Sequence, residues 1–493
     1  MNQSGMILLS IMFPILWGLY ILIKPEFRNR RSLLVTTGIG LAVTVALGLG
    51  VVLGGSARLD LFSLGKRMNV YFKVDDLGRI FAAVVMIVWM LAGIYAFEYM
   101  KHEKEEKRYF GFYVMVFGVL FALTFAGSML TYYVFYEMMT LLSVPLILHT
   151  RTKEAIMGGL KYLLYSLFGA YLVLFGLFFL NQYAETLNFT AGGALDLEAA
   201  AGHEGILLIA AFSMILGFSV KAGMFPLHAW LPTAHPVAPA PASAVMSAII
   251  VKMGVLGIIR VVYFMFGAGF LQGTWVQTAW LTLSLITVFM GSMLAYREKV
   301  FKKRLAYSTV SQASYILFGL ALMQTEAFTG AILHVVFHAF IKSALFMTAG
   351  VIIYKTGKTK VSEFGGIGKE MPVTIWCYTL AAAALIGFPP ASGFISKWYL
   401  ASGSLASGIE VFSWLGPVVL LVSALLTAGY LLPVSMNGFL PGADYDYTKL
   451  KKKEPARTML VPLLILAVLA VGLGVFPNPL TDSITGIVNT VLG

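Results

Sequence analysis

The sequence predicts an all-α integral membrane protein of about fourteen transmembrane helices. Three observations lead there: a composition that is 59% hydrophobic and 12% charged, apolar windows of about 20 residues that recur along the whole chain, and basic loops that alternate regularly. A soluble domain carries roughly twice that share of charge.

The apolar windows fall at roughly 5–24, 32–54, 78–98, 109–127, 128–149, 159–182, 205–230, 241–264, 277–296, 304–323, 328–354, 372–403, 411–436 and 459–477. The first is too long, and too poorly followed by small residues, to be a cleaved signal peptide. Neither end carries a lipidation motif, so this segment is expected to stay in the mature chain.

Loops set the orientation, because short loops rich in Lys and Arg stay on the cytoplasmic side. Those after the first, third, fifth, ninth, eleventh and thirteenth spans read KPEFRNRRS, KHEKEEKRY, HTRTKEA, REKVFKKR, YKTGKTK with GKE, and YTKLKKKEPAR. The loops after even spans carry little basic charge, and the longest, NQYAETLNFTAGGALDLEAAAGHEG, is acidic. This phase predicts a multi-pass protein of the cell inner (cytoplasmic) membrane with both termini outside. The net charge of +12 is then a topology signal, which argues against nucleic-acid binding.

The single cysteine, Cys377, rules out a Cys-ligated iron–sulfur cluster within the chain, since such clusters need about four thiolates. There is no GxGxxG after a strand and no P-loop. No cofactor, no metal and no catalytic or redox motif are expected of this chain itself.

Removing the loop charges leaves a short list near mid-span: Glu137, Lys221, Lys252, His334, His338, Lys342 and Lys397. Facing lipid, each charged one would cost about 2.5–3.5 kcal/mol on insertion scales, so they should face protein or water. His334, His338 and Lys342 are four apart and share one helix face. Two histidines at that spacing can hold a metal, but no third ligand of the HExxH kind is present. A row of imidazoles and amines suits proton hopping, because imidazole accepts at one nitrogen and releases from the other. The bland alternative is a set of isolated ion pairs and satisfied core histidines; against it, the cations outnumber the single carboxylate.

GFSVKAG at 217–223 has a counterpart, GFPPASG at 387–393. Gly217 aligns with Gly387, Phe218 with Phe388 and Gly223 with Gly393, and an interior lysine accompanies each motif, Lys221 or Lys397. Paired interrupted helices in two halves of a chain point to the ion site of an inverted-repeat transporter. The expected organisation is a three-helix segment (1–108), a first five-helix repeat (109–265), a second, inverted one (277–436) and a C-terminal loop and helix (437–493). Helices merely kinked by Gly and Pro are the simpler reading.

The set Glu137, Lys221, Lys252, His334, His338 and Lys397, with HAWLPTAHPVAPAPASA (228–244), RLAYSTVSQ (304–312) and GFPPASGFISKW, resembles the antiporter-like subunits shared by respiratory complex I, Mrp-type multisubunit sodium/proton antiporters and membrane-bound energy-converting hydrogenases. The resemblance implies fourteen helices in two inverted five-helix repeats, with the seventh and twelfth helices broken. It also implies that Glu137 and Lys221 form a coupling pair, that Lys252 with His334 or His338 is a central relay, and that Lys397 is the terminal proton donor on the outer side. Among family members the chain is most similar to the D subunit of Mrp antiporters. FYEMMTLLSVPLILHTRTKEA, around Glu137, departs from that pattern and leaves a hydrogenase-linked or complex I-like assembly open. The implied partners are further antiporter-like membrane chains, H+ with or without Na+, the lipid bilayer and, in a redox-driven complex, a peripheral arm on the cytoplasmic side. There the chain would be the translocase subunit of an oxidoreductase. A stand-alone secondary transporter of a small cation or organic substrate, or a membrane anchor with degenerate charges, are the competing functions.

Overall fold

The computed structural model describes residues 2–492 apart from 66, 443, 444, 447 and 449. Two positions of the last basic loop, 447 and 449, thus lie outside the described residues. The longer helices are α1 (Gln3–Ile23), α2 (Arg30–Leu53), α3 (Asp76–Tyr99), α4 (Glu106–Thr124), α5 (Met129–Ile147), α6 (Lys153–Tyr183), α7 (Glu204–Ala222), α8 (Ala240–Phe266), α9 (Trp275–Arg297), α10 (Phe301–Ala321), α11 (Thr325–Thr356), α12 (Pro372–Ile386), α13 (Ser392–Ala406), α14 (Glu410–Phe439), α15 (Arg457–Val475) and α16 (Asn478–Leu492). Among the described residues, 12 helices are long and apolar enough to cross a membrane. They are all of these except α10, α12, α13 and α16.

Burial separates an inner group of helices from an outer one. Every residue of α8 is buried, as is the run Ala327 to Ile352 of α11, and α10 is buried almost throughout despite its hydroxyl-rich sequence. α1, α2, α14 and α15 instead expose Leu and Val on one face. That face suits lipid, whose tails are as apolar as leucine.

Two helices stop at glycines inside apolar stretches. α7 ends at Gly223, left-handed at φ +78, and the chain resumes as the short helix Leu231–Val237. α12 ends at Gly387, also left-handed at φ +100, and resumes as α13. Glycine adopts that conformation without a Cβ clash, which makes it the usual helix stop. The sequence alignment of the two motifs therefore differs from the register of the breaks. Gly217, aligned with Gly387, lies inside α7, where it meets Gly169 of α6; a Cβ on either glycine would run into the other's carbonyl oxygen. Gly393 lies in the first turn of α13. A packing glycine and a stop glycine look the same in sequence, so the shared letters misaligned the breaks.

Two further elements were not foreseen. A two-stranded antiparallel hairpin, β1 (Arg58–Ser63) and β2 (Asn69–Lys73), precedes α3. At the other end α16 adds a second helix after α15, where one was expected.

Candidate functional site

Close packing of α6 against α7 at Gly169 and Gly217 brings Lys221, one turn further along, against the side chains of α5 and α6. Lys221 is fully buried. Its ammonium donates to Thr140 Oγ1 at 2.9 Å, Tyr162 Oη at 2.7 Å and Ser166 Oγ at 2.8 Å. It also lies 4.1 Å from the centre of the Tyr162 ring. All three donor positions are thus satisfied by neutral hydroxyls, and hydroxyls can turn round to donate instead. The cage accommodates a lysine with or without the transferable proton.

Glu137 sits one turn before Thr140 on α5, half-buried at the rim of an outward apolar face that carries exposed Val134 and Leu141. Its Oε1 is buried without a hydrogen-bond partner among the described residues. Glu137 and Lys221 are therefore neighbours through Thr140, each within reach of the other's field, and do not bond directly.

Lys252 lies in the centre of α8, directly after a π-helical turn at Met246–Ile250. Such a turn opens the regular backbone ladder, and Lys252 donates to the Ser247 carbonyl at 2.7 Å. Its other contact is His338 Nδ1 on α11, at 2.5 Å. His338 and His334 follow one another with ring centres 5.7 Å apart, and His334 Nδ1 meets Ser396 Oγ at 2.9 Å. Ser396 precedes Lys397, whose ammonium caps the end of α12 by donating to Leu385 O at 2.6 Å and Ile386 O at 3.0 Å. The dipole of a helix C-terminus favours a cation there. The Nε2 atoms of both histidines are buried and without a hydrogen-bond partner among the described residues.

Lys342 completes the face of α11. It donates to Leu305 O at 3.0 Å and Ser308 Oγ at 2.7 Å on α10, and Tyr430 Oη of α14 donates to the same serine at 2.8 Å.

A family model described as NADH:quinone oxidoreductase/Mrp antiporter, TM, matches residues 126–427. The chain belongs to this family. A second model, the N-terminus of complex I (NADH-ubiquinone oxidoreductase) chain 5, matches residues 62–110. The N subunit of NADH-quinone oxidoreductase from Desulforudis audaxviator is 31% identical over 453 residues, covering 89% of each chain. The Na(+)/H(+) antiporter D subunit from Alkalihalophilus pseudofirmus is 26% identical over 486 residues, covering 97% of this chain and 95% of that one. The fold is also that of a chain in the membrane-bound sulfane sulfur reductase, an archaeal respiratory membrane complex: TM-score 0.86 at 22% identity, over 100% of this chain and 98% of that chain.

In this member of the family, sequence reading passed over several residues of the site. Thr140, Tyr162 and Ser166 make the Lys221 cage, yet nothing distinguishes them from the chain's many other hydroxyls. His235 is fully buried between the Trp230 and Phe346 rings, with both nitrogens unpartnered among the described residues. It lies in the fields of Lys302, Lys342 and Lys252. A histidine inside an apolar stretch was the available signal, hidden in a segment read only as a motif.

Proposed function

We propose that this chain is the antiporter-like, proton-translocating membrane subunit of a larger complex, either a cation/proton antiporter or a redox-driven pump. Protons would move along Glu137, Lys221, Lys252, His338, His334 and Lys397. The observation that carries the reading is that the mid-span lysines 221, 252, 342 and 397 are all held by hydroxyls, carbonyls or imidazole, with Glu137 the carboxylate beside the row. A lysine is almost never fully buried unless it is paired.

Glu137 and Lys221 would act as the switch. At an effective dielectric of 20, bringing two opposite charges to 4 Å is worth about 4 kcal/mol. Moving one charge through a potential of 100 mV takes about 2.3 kcal/mol. Closing or opening one such pair is therefore enough to drive a charge step. Hydroxyls that exchange donor and acceptor roles let Lys221 pass its proton inward; His338 takes it up from Lys252 at Nδ1 and releases it from Nε2 towards His334, Ser396 and Lys397.

The topology we assign has fourteen spans: the 12 long apolar helices, α10, and α12 with α13 as one broken span. The five-helix repeats would be 109–265 and 277–436, inverted relative to each other, after an N-terminal segment 1–108 and before the C-terminal 437–493. Both termini would lie outside an inner (cytoplasmic) membrane. The named relatives are components of multisubunit assemblies, which supports other membrane subunits as partners here.

The test is transport by the assembled complex in native membrane vesicles. Lys221→Ala and Glu137→Ala should each abolish proton movement with the complex intact, and retained pumping in either would overturn the switch.

A further inference from the structure

None of the residues of the row described so far lies in one of the basic loops. One buried cation outside the row does. Lys302, in the first turn of α10, is 5% exposed, and its ammonium donates to the carbonyls of Pro236, at 3.2 Å, and Ala238, one and three residues after His235. Glu103, in the α3–α4 loop, lies within the field of Lys302. Glu103 in turn lines an open cleft of about 440 Å³ with His102, Lys104, Glu105, Arg108 and His149. Burial pushes its carboxyl up from the ordinary range, against the opposing pull of Lys302 and His102.

We propose that Glu103 and Lys302 form the inlet through which a proton leaves the water of this cleft and reaches His235, and from there the Lys252 and Lys342 amines. Lys302 gives one proton to a ring nitrogen of His235 and becomes a neutral amine. The Glu103 carboxylic acid reprotonates it, and the resulting carboxylate takes a proton from water. His235 then releases a proton from its other nitrogen to a neutral amine of Lys252 or Lys342. One proton enters per cycle and every inlet group returns to its starting state. The arrangement uses three features that structure alone leaves idle: a buried lysine held by carbonyls, a buried histidine with two nitrogens unpartnered among the described residues, and a carboxylate lining a cleft.

This inference rests on the proton-translocating reading, and one experiment separates the two. Proton uptake is measured in vesicles carrying the native complex, with assembly checked by co-purification, for Glu103→Gln, Glu103→Asp and Lys221→Ala. With the carboxylate as a proton acceptor, the Gln variant is expected to slow uptake at least about tenfold, while Asp keeps more than half of it. If Gln transports within twofold of the native complex while Lys221→Ala is dead, the inlet is wrong and the reading stands. If Lys221→Ala also transports, the reading falls. Should the Gln variant fail to assemble, Glu103→Cys is alkylated after assembly. Iodoacetate, which restores a carboxylate, is expected to restore uptake and iodoacetamide is not; equal rates with both reagents would overturn the inlet.

Discussion

Lys252 Nζ and His338 Nδ1 lie 2.5 Å apart, a polar contact between α8 and the buried run of α11. If that contact carries protons, the two residues fail together. Lys252→Met and His338→Leu should each cut transport at least about tenfold, and the double variant should be no worse than either alone. Initial rates of vesicle acidification for the three complexes check this; losses that multiply in the double variant would mean separate roles.

Tyr162 tests the Lys221 cage. Its hydroxyl receives Lys221 at 2.7 Å and meets Ser143 Oγ at 2.8 Å. Tyr162→Phe keeps the ring under the ammonium and removes both hydrogen bonds of the hydroxyl, a stability change of about 1–3 kcal/mol. The complex should assemble normally, yet transport should fall severalfold or more. A Phe variant with full transport would reduce the cage to a packing feature.

Legibility in the sequence followed how unusual each residue is in its surroundings. Lys221, Lys252 and Lys397 stood out because an amine in an apolar window is expensive wherever it faces. Tyr162 and Ser166 did not, because one hydroxyl among many in membrane helices carries no signal until a lysine is found beside it. α10 was found as a window at 304–323 in spite of its serines and threonines, while α16, with its polar face, was missed. The two breaks were read from glycine and proline, but the pairing of Gly217 with Gly387 matched letters with different jobs.

Gly217 also makes a structural prediction. A side chain there would strike the backbone of α6, and such overpacking costs about 1–3 kcal/mol. Gly217→Val should lower the thermal midpoint of the purified complex and displace Lys221 from its cage. Gly205, with open space around it, is the control: Gly205→Ala should leave both stability and transport unchanged.

The corner beneath α5 should be acid-sensitive. Burial, with the Arg108 guanidinium second, holds the His149 imidazole down at about 4. An unfolded chain, titrating near 6.5, binds more protons than the folded one between those two values. Stability is therefore whole at neutral pH and declines as pH falls from about 6.5 towards 4. Thermal midpoints measured from pH 7 to 4.5 should drop, and the drop should be shallower in His149→Gln. Equal slopes would place the sensitivity elsewhere.

Arg260 and Asp75 hold the opposite face together. Arg260, 1% exposed in the second π-helical turn of α8, reaches across to Asp75 with two hydrogen bonds of 2.6 and 2.9 Å. The Phe189 and Phe264 rings flank its guanidinium at 4.8 and 4.7 Å. Asp75 has a second task as the N-cap of α3, accepting from Gly78 N at 2.8 Å. Replacing it by Asn keeps a good cap but leaves the arginine buried without its counter-charge. Stranding one partner of a buried pair costs about 3–5 kcal/mol, whereas removing both is far milder. Asp75→Asn should therefore lower the thermal midpoint and the yield of assembled complex, and adding Arg260→Met should recover most of the loss. Without that recovery, the damage would come from the cap or the local packing, and the ion pair would not be what joins α3 to α8.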